Sequence, residues 1–241
     1  MGIRDLFSSS GRGKARLARN IKTITNAFCQ SAERYDAMEQ LLADGSEAAY
    51  VGLLQRFTVT ASKTIEDEEE KGWVYRRAVA LDKAVLPALK QFCVSQGNLA
   101  WALRVLEDVA NETEEWEILD AIIEAHPPGY ERDPQTKIQL LAHLQEIDDP
   151  KVPALVARYL EDEDETVRYQ GVEALIDIAD PASLDALVDR LANDKEDSLR
   201  LRARILDGLA DLEWDVQARE ADITANLGNA HAMTQGKVTR R

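Results

Sequence analysis

The sequence predicts an all-α chain, a right-handed α-solenoid (an α-α superhelix) of about six antiparallel helical hairpins. Three observations lead there. Asp149-Pro150-Lys151 opens KVPALVARYL, and 31 residues later Asp180-Pro181-Ala182 opens ASLDALVDRL. VRYQGVEALIDI (Val167 to Ile178) is answered 34 residues later by LRARILDGLADL (Leu201 to Leu212). Apolar residues recur at helical spacing along most of the rest, with aromatics at only 6%. A supersecondary unit written repeatedly at a period of roughly 30–40 residues is the mark of stacked helical repeats, each of which buries its apolar face only against its neighbours.

The elements follow in order. Residues 1–13 read as a flexible basic leader, with Ser8-Ser9-Ser10-Gly11 as a break. From Lys14, Leu17, Ile21, Ile24 and Phe28 recur at i, i+4, i+7 and i+11, a helical stripe. A second helix over 31–43 aligns Tyr35, Met38, Leu41 and Leu42. Asp44-Gly45-Ser46 then stops one helix and starts another, with Ser46 as N-cap. TVTASKTIEDEEEK (58–71) interrupts the pattern, and a helix over 67–81 carries Trp73, Val74, Ala78 and Leu81. AVLPALKQFCV, LAWALRVLEDVA and a helix over 113–125 come next. His126-Pro127-Pro128-Gly129 is the strongest breaker in the chain, and Pro134 opens the helix 134–147. Counted as hairpins these are 14–43, 46–81, 83–110, 113–147, 150–179 and 181–212, read as one continuous solenoid over 14–212. Residues 213–241 are expected to be a terminal cap or tail with one further short helix, since end repeats must cover an exposed face.

Residues 150–212 resemble HEAT repeats, particularly the bacterial type named after phycobilisome lyases. The resemblance rests on Val152-Pro153-Ala154-Leu155, the acidic turn Asp162-Glu163-Asp164, Val167-Arg168 opening the second helix, Ala174-Leu175 to Ile178, and Asp180-Pro181 at the next start. Leu86-Pro87-Ala88-Leu89 echoes it upstream. It implies protein binding rather than chemistry, with second helices lining a concave face. The same letters have physical reasons: proline tolerates a helix start, where its missing N–H would be unpaired anyway. Small Gly171 and Ala174 let neighbouring hairpins approach.

The formal net charge is −15, yet residues 1–24 carry Arg4, Arg12, Lys14, Arg16, Arg19 and Lys22 against Asp5 alone, so the acidity lies in the body. An acidic body argues against nucleic acid, whose phosphates supply most non-specific affinity, and leaves a nucleic-acid-binding or DNA-repair protein as the alternative function. No apolar run spans a bilayer, no secretory h-region opens the chain, and Cys29 and Cys93 read as buried reduced thiols of a cytoplasmic protein. Ile3, Leu6 and Phe7 among basic residues leave a peripheral membrane contact through residues 1–13 as a possibility to test.

Candidate partner-binding residues are Arg76, Arg77, Trp101, Arg104, Lys137, Arg168, Tyr169 and Arg202, with Ile138, Arg200 and Arg204 alongside. Lys137, Arg168 and Arg202 fall at equivalent places in three successive second helices. They are expected either to line a basic groove or to form a structural ladder with turn acids such as Asp164 or Asp197. The acidic runs Glu66–Glu70, Glu112–Glu117 and Glu161–Glu165 read as solvated turns. His126, His143 and His231 lack metal-ligand spacing, so neither a metal nor a cofactor is expected. No P-loop, dinucleotide fingerprint or nucleophile elbow occurs, and lyase activity rests on the repeat's name alone. The expected function is a non-enzymatic protein-binding scaffold with an unknown protein partner.

Overall fold

The computed structural model describes residues 9–241. The suggested membrane contact through Ile3, Leu6 and Phe7 lies outside the described residues. Thirteen α-helices are described: α1 (Ser9–Ile24), α2 (Ser31–Asp44), α3 (Glu47–Leu54), α4 (Thr64–Ala80), α5 (Leu86–Ser95), α6 (Ala100–Val109), α7 (Glu112–Ala125), α8 (Gln135–Leu144), α9 (Val152–Ala157), α10 (Glu165–Ile178), α11 (Leu184–Ala192), α12 (Leu199–Leu212) and α13 (Glu220–Asn226). Two strands follow, β1 (His231–Thr234) and β2 (Lys237–Arg240). The fold is an all-α repeat solenoid with a short terminal hairpin. It forms two compact units, Met1–Ala125 and His126–Arg241, whose boundary falls at the His-Pro-Pro-Gly breaker inside the expected hairpin 113–147.

In the first unit the first helices α1, α3, α5 and α7 pack in succession, and the second helices α2, α4 and α6 form the other layer. In the second unit α8, α10 and α12 form the second-helix layer, and α11 packs on α13. The caps explain the boundaries. The Ser46 hydroxyl accepts from Ala49 N at 3.3 Å, Asp164 accepts from Thr166 N at 2.8 Å, and the Ser198 hydroxyl accepts from Leu201 N at 3.2 Å. Each satisfies an amide that a helix start leaves unpaired. Pro87 and Pro153 stand in the first turns of α5 and α9, and Gly45, at φ 72°, ends α2 in the left-handed region.

Leu53, Leu89, Leu103, Leu119, Leu140, Leu175 and Leu191 are among the buried apolar residues, each contributing about 1.5–3 kcal/mol. Gly208 makes room for Ile176 of the neighbouring hairpin: a Cβ there would fall 2.6 Å from Ile176 Cγ1. Gly171 instead faces Leu160 of its own hairpin, with Cδ2 at 3.2 Å. Ala174 is wholly buried. Ala174→Phe is expected to overpack α10 and lower stability by about 1–3 kcal/mol in a thermal-unfolding comparison; an unchanged melting temperature would place position 174 outside the core.

Several expectations need correction. Ser9–Gly13 belong to α1 rather than to a loose leader. α1 ends at Ile24, so Phe28 leaves the predicted stripe and is 92% exposed in the turn before α2. Cys29 shares that turn, half-buried, and its thiol donates to Glu33 Oε2 at 2.8 Å. Cys93 is buried as expected, and burial pushes its thiol up to about 12. α4 starts at Thr64, earlier than the threonine-rich pattern suggested.

The C-terminal segment holds the expected short helix, α13, and then an antiparallel hairpin. Its two-residue turn, Gln235-Gly236, has positive φ at both positions (51° and 74°), the geometry that matches strand twist. β2 packs on α12 with Val238 buried, while His231 Nε2 and Arg240 Nε reach Asp207 Oδ1 at 2.9 and 3.2 Å.

Candidate functional site

The cations of the second unit form a relay beneath the turns. Lys137 Nζ donates to the Gly129 carbonyl at 2.6 Å and to Asp162 Oδ2 at 2.8 Å. The Asp162 carbonyl in turn accepts from Arg168 Nη1 at 3.0 Å. Arg168 Nε and Nη2 hold the Glu196 carboxylate at 2.8 and 3.0 Å. The Glu196 carbonyl accepts from Arg202 Nη2 at 2.8 Å, and Arg202 Nη1 reaches Asn226 Oδ1 at 2.8 Å. Each turn acid therefore receives one repeat's cation on its side chain and the next repeat's on its backbone. Lys137 and Arg168 are buried and Arg202 is half-buried, so their donors serve turn carbonyls and acids rather than open surface. The ladder is the arrangement observed, but its acids are Asp162 and Glu196. Asp164, expected as a partner, instead caps α10.

The first unit contains a network that the sequence reading missed. Arg34 Nε and Nη2 donate to Glu70 at 2.7 and 2.9 Å, and Arg34 also donates to the Cys29 carbonyl. Arg56 Nε donates to Glu70 Oε2 at 2.8 Å, and its Nη2 donates to Asp67 Oδ1 at 2.6 Å. Lys71 Nζ lies 2.7 Å from Asp67 Oδ2. All five side chains are buried, which overturns the reading of Glu66–Glu70 as a wholly solvated run. A signal was present: Asp67, Glu70, Lys71, Val74 and Ala78 fall on one helical stripe with the core residues. Another was the spacing of 22 positions that Arg34–Arg56 shares with Arg168–Arg190. Arg190 stands where Arg56 does, its Nε 3.0 Å from Glu196 Oε2 without the alignment of a hydrogen bond, while its Nη1 donates to the Leu160 carbonyl at 3.0 Å.

Burial opposes ionisation of Glu70, yet hydrogen bonds from Arg34, Ser31 and Arg56 outweigh it and hold the carboxyl below its usual range. Glu196 behaves alike: burial opposes, while Arg168 and the Ser198 amide prevail. Carboxyls with lowered folded values stabilise the protein above the unfolded range, near pH 4, and lose that contribution as pH falls through their folded values. The urea midpoint is therefore expected to hold from neutral pH to about 5 and to fall below pH 4. A midpoint unchanged down to pH 2 would contradict the pairing.

The second-helix layer of the first unit carries a different surface. Positions 73 and 77 share one side of α4, and position 75 lies on the other. Trp73 meets Tyr35 of α2 edge-on, with centroids 6.0 Å apart, and the Arg77 guanidinium lies 5.2 Å from the Trp73 ring centre. On the α6 side, Trp101 stacks on Phe57 at 5.9 Å and tilts against Tyr75 at 6.0 Å. Arg104 lies 4.8 Å over Trp101 and 5.3 Å over Tyr75, whose hydroxyl donates to Asp108. Arg76 is exposed on α4 between these groups. Among the described residues, Arg76, Arg77 and Arg104 have no carboxylate within ion-pair distance. Four candidates, Arg76, Arg77, Trp101 and Arg104, are thus brought onto one face, together with Tyr35, Trp73 and Tyr75.

The corresponding seam of the second unit is neutralised. Arg200 lies 4.6 Å over the half-buried Tyr169 ring and donates to Glu165 Oε1 at 2.8 Å. Arg204 grips Glu173 at 2.8 and 2.7 Å. Ile138 is half-buried on α8. His126 Nδ1 lies 2.8 Å from Glu131 Oε1 and His231 is held by Asp207, so these histidines serve local contacts.

Residues 130–206 match the family model of HEAT repeats. This segment, from α8 into α12, therefore consists of HEAT repeats, and it contains Lys137, Asp162, Arg168, Glu196 and Arg202 of the relay. No curated protein and no solved structure matches it. No helix among the described residues is long and apolar enough to cross a membrane. HEAT repeats commonly mediate interactions between proteins.

Proposed function

We propose that this chain is a cytoplasmic, non-enzymatic scaffold that binds a protein partner on the second-helix face of its first unit. The observation that carries the reading is the pairing of Arg77 and Arg104 with aromatic rings instead of carboxylates, beside exposed Arg76. Arginine, tryptophan and tyrosine dominate the energetics of protein interfaces. Here they stand on rigid helices, so little ordering is needed on binding. Arg168 and Arg202, on which a nucleic-acid reading would depend, are already engaged by turn acids and carbonyls.

A photo-crosslinking amino acid at exposed Ala80 of α4, compared with one at exposed Asp120 of α7, tests the reading in the cell of origin. The scaffold reading expects a discrete protein adduct from position 80 and none from 120. The absence of a protein adduct at 80, or a nucleic-acid adduct in its place, would defeat it.

A further inference from the structure

We infer that the occupant of the α2–α4–α6 face is a partner segment bearing spaced carboxylates set among apolar residues, an inference that rests on the scaffold reading above. A guanidinium lying over a ring uses its face there, and its N–H donors, in its own plane, remain for an acceptor. A carboxylate fits that fork with two parallel hydrogen bonds. Arg77 at Trp73 and Arg104 at Trp101 and Tyr75 each set a guanidinium that has no carboxylate in ion-pair range among the described residues against an aromatic ring. Arg76, exposed between them, supplies a third.

Charge elsewhere narrows the ligand. The chain carries −15 overall, and Glu69, Glu107 and Asp108 are exposed on the same helices, α4 and α6. A dense polyanion, whether nucleic acid or an anionic bilayer, would be repelled by this acidic body along its length. A segment with isolated acids places one charge on each arginine and apolar side chains on the rings between. Complementarity of this kind fixes register and speeds encounter more than it raises affinity, so the association is expected to be salt-sensitive.

The test titrates the full chain into three fluorescently labelled probes: a 12-residue Glu/Leu/Ala peptide, its twin with Gln for every Glu, and a 12-nucleotide oligothymidylate. Anisotropy is read at about 20 mM and about 300 mM salt, bracketing strong and weak screening. The acidic peptide is expected to bind at low salt and weaken at high salt, and its Gln twin is expected to bind at least about tenfold more weakly. R76E/R77E/R104E, and the milder R76Q/R77Q/R104Q, are expected to reduce acidic-peptide binding by about tenfold or more. R132E, at an exposed arginine of the second unit, is expected to leave it unchanged.

Equal binding of the two peptides, equal binding by the triple variants, tighter binding of the oligothymidylate, or no binding of any probe would each overturn the inference. If position 80 still crosslinks a protein while the peptides fail, the scaffold reading survives and only the acidic class of partner is lost. If position 80 crosslinks nothing, the scaffold reading itself has failed.

Discussion

Glu70→Ala is expected to lower unfolding stability by about 3–5 kcal/mol, a large fraction of what a domain of this size possesses. Glu70 is wholly buried and is the shared acceptor of Arg34, Arg56 and Ser31. Removing it leaves two guanidiniums inside the first unit, with Asp67 and the Val59 carbonyl remaining for Arg56, and turn carbonyls and the Glu66 carboxylate at 3.9 Å for Arg34. Breaking such a cluster from one side costs far more than its net worth, because the remaining charges stay desolvated. Replacing the three members together, as R34M/R56M/E70L, removes the stranded charges and is expected to cost less than Glu70→Ala alone. Urea unfolding followed by circular dichroism reads both variants. A Glu70→Ala midpoint equal to that of the native chain would show that the cluster contributes nothing.

The second large effect is expected at Glu196. Its side chain joins Arg168 and Arg190, its Oε1 accepts from the Ser198 amide at 2.9 Å, and its carbonyl accepts from Arg202. Glu196→Ala is expected to cost about 3–5 kcal/mol for the same reason as Glu70→Ala. Arg168→Ala leaves Glu196 with Arg190 and is expected to cost less. The double variant is expected to cost less than the sum of the singles by about 0.5–3 kcal/mol, the signature of residues acting through one another. Strict additivity in this cycle would mean that Arg168 and Glu196 do not share a stabilising contact.

Most of the helical architecture was legible because its determinants are local. Ser46 and Ser198 cap their own helices, Pro87 and Pro153 sit where proline is tolerated, and apolar spacing marks the buried stripes. The terminal hairpin escaped because each strand has four residues and its turn is Gln-Gly, not the common Asn-Gly or Asp-Gly. Phe28 extended a helical period that the chain abandons after Ile24. The buried network was harder to read, since Arg34, Arg56 and Glu70 are residue types almost never fully buried unless paired, and their pairing spans up to 36 positions. Charge on a helix face says nothing by itself about direction. Arg168 and Arg77 look alike in sequence, and only the packing of α10 and α4 turns one inward and leaves the other over a ring.

That contrast is measurable in one experiment: the full native chain is treated with an arginine-selective dicarbonyl reagent, and the rate at each site is read by peptide mass spectrometry. Arg76, Arg77 and Arg104 are expected to react quickly. Arg34, Arg56, Arg168, Arg190 and Arg202 are expected to stay protected until urea unfolds the protein. Reaction of Arg168 and Arg202 as fast as Arg76 would contradict the account, because it would make the relay an open groove rather than an internal support.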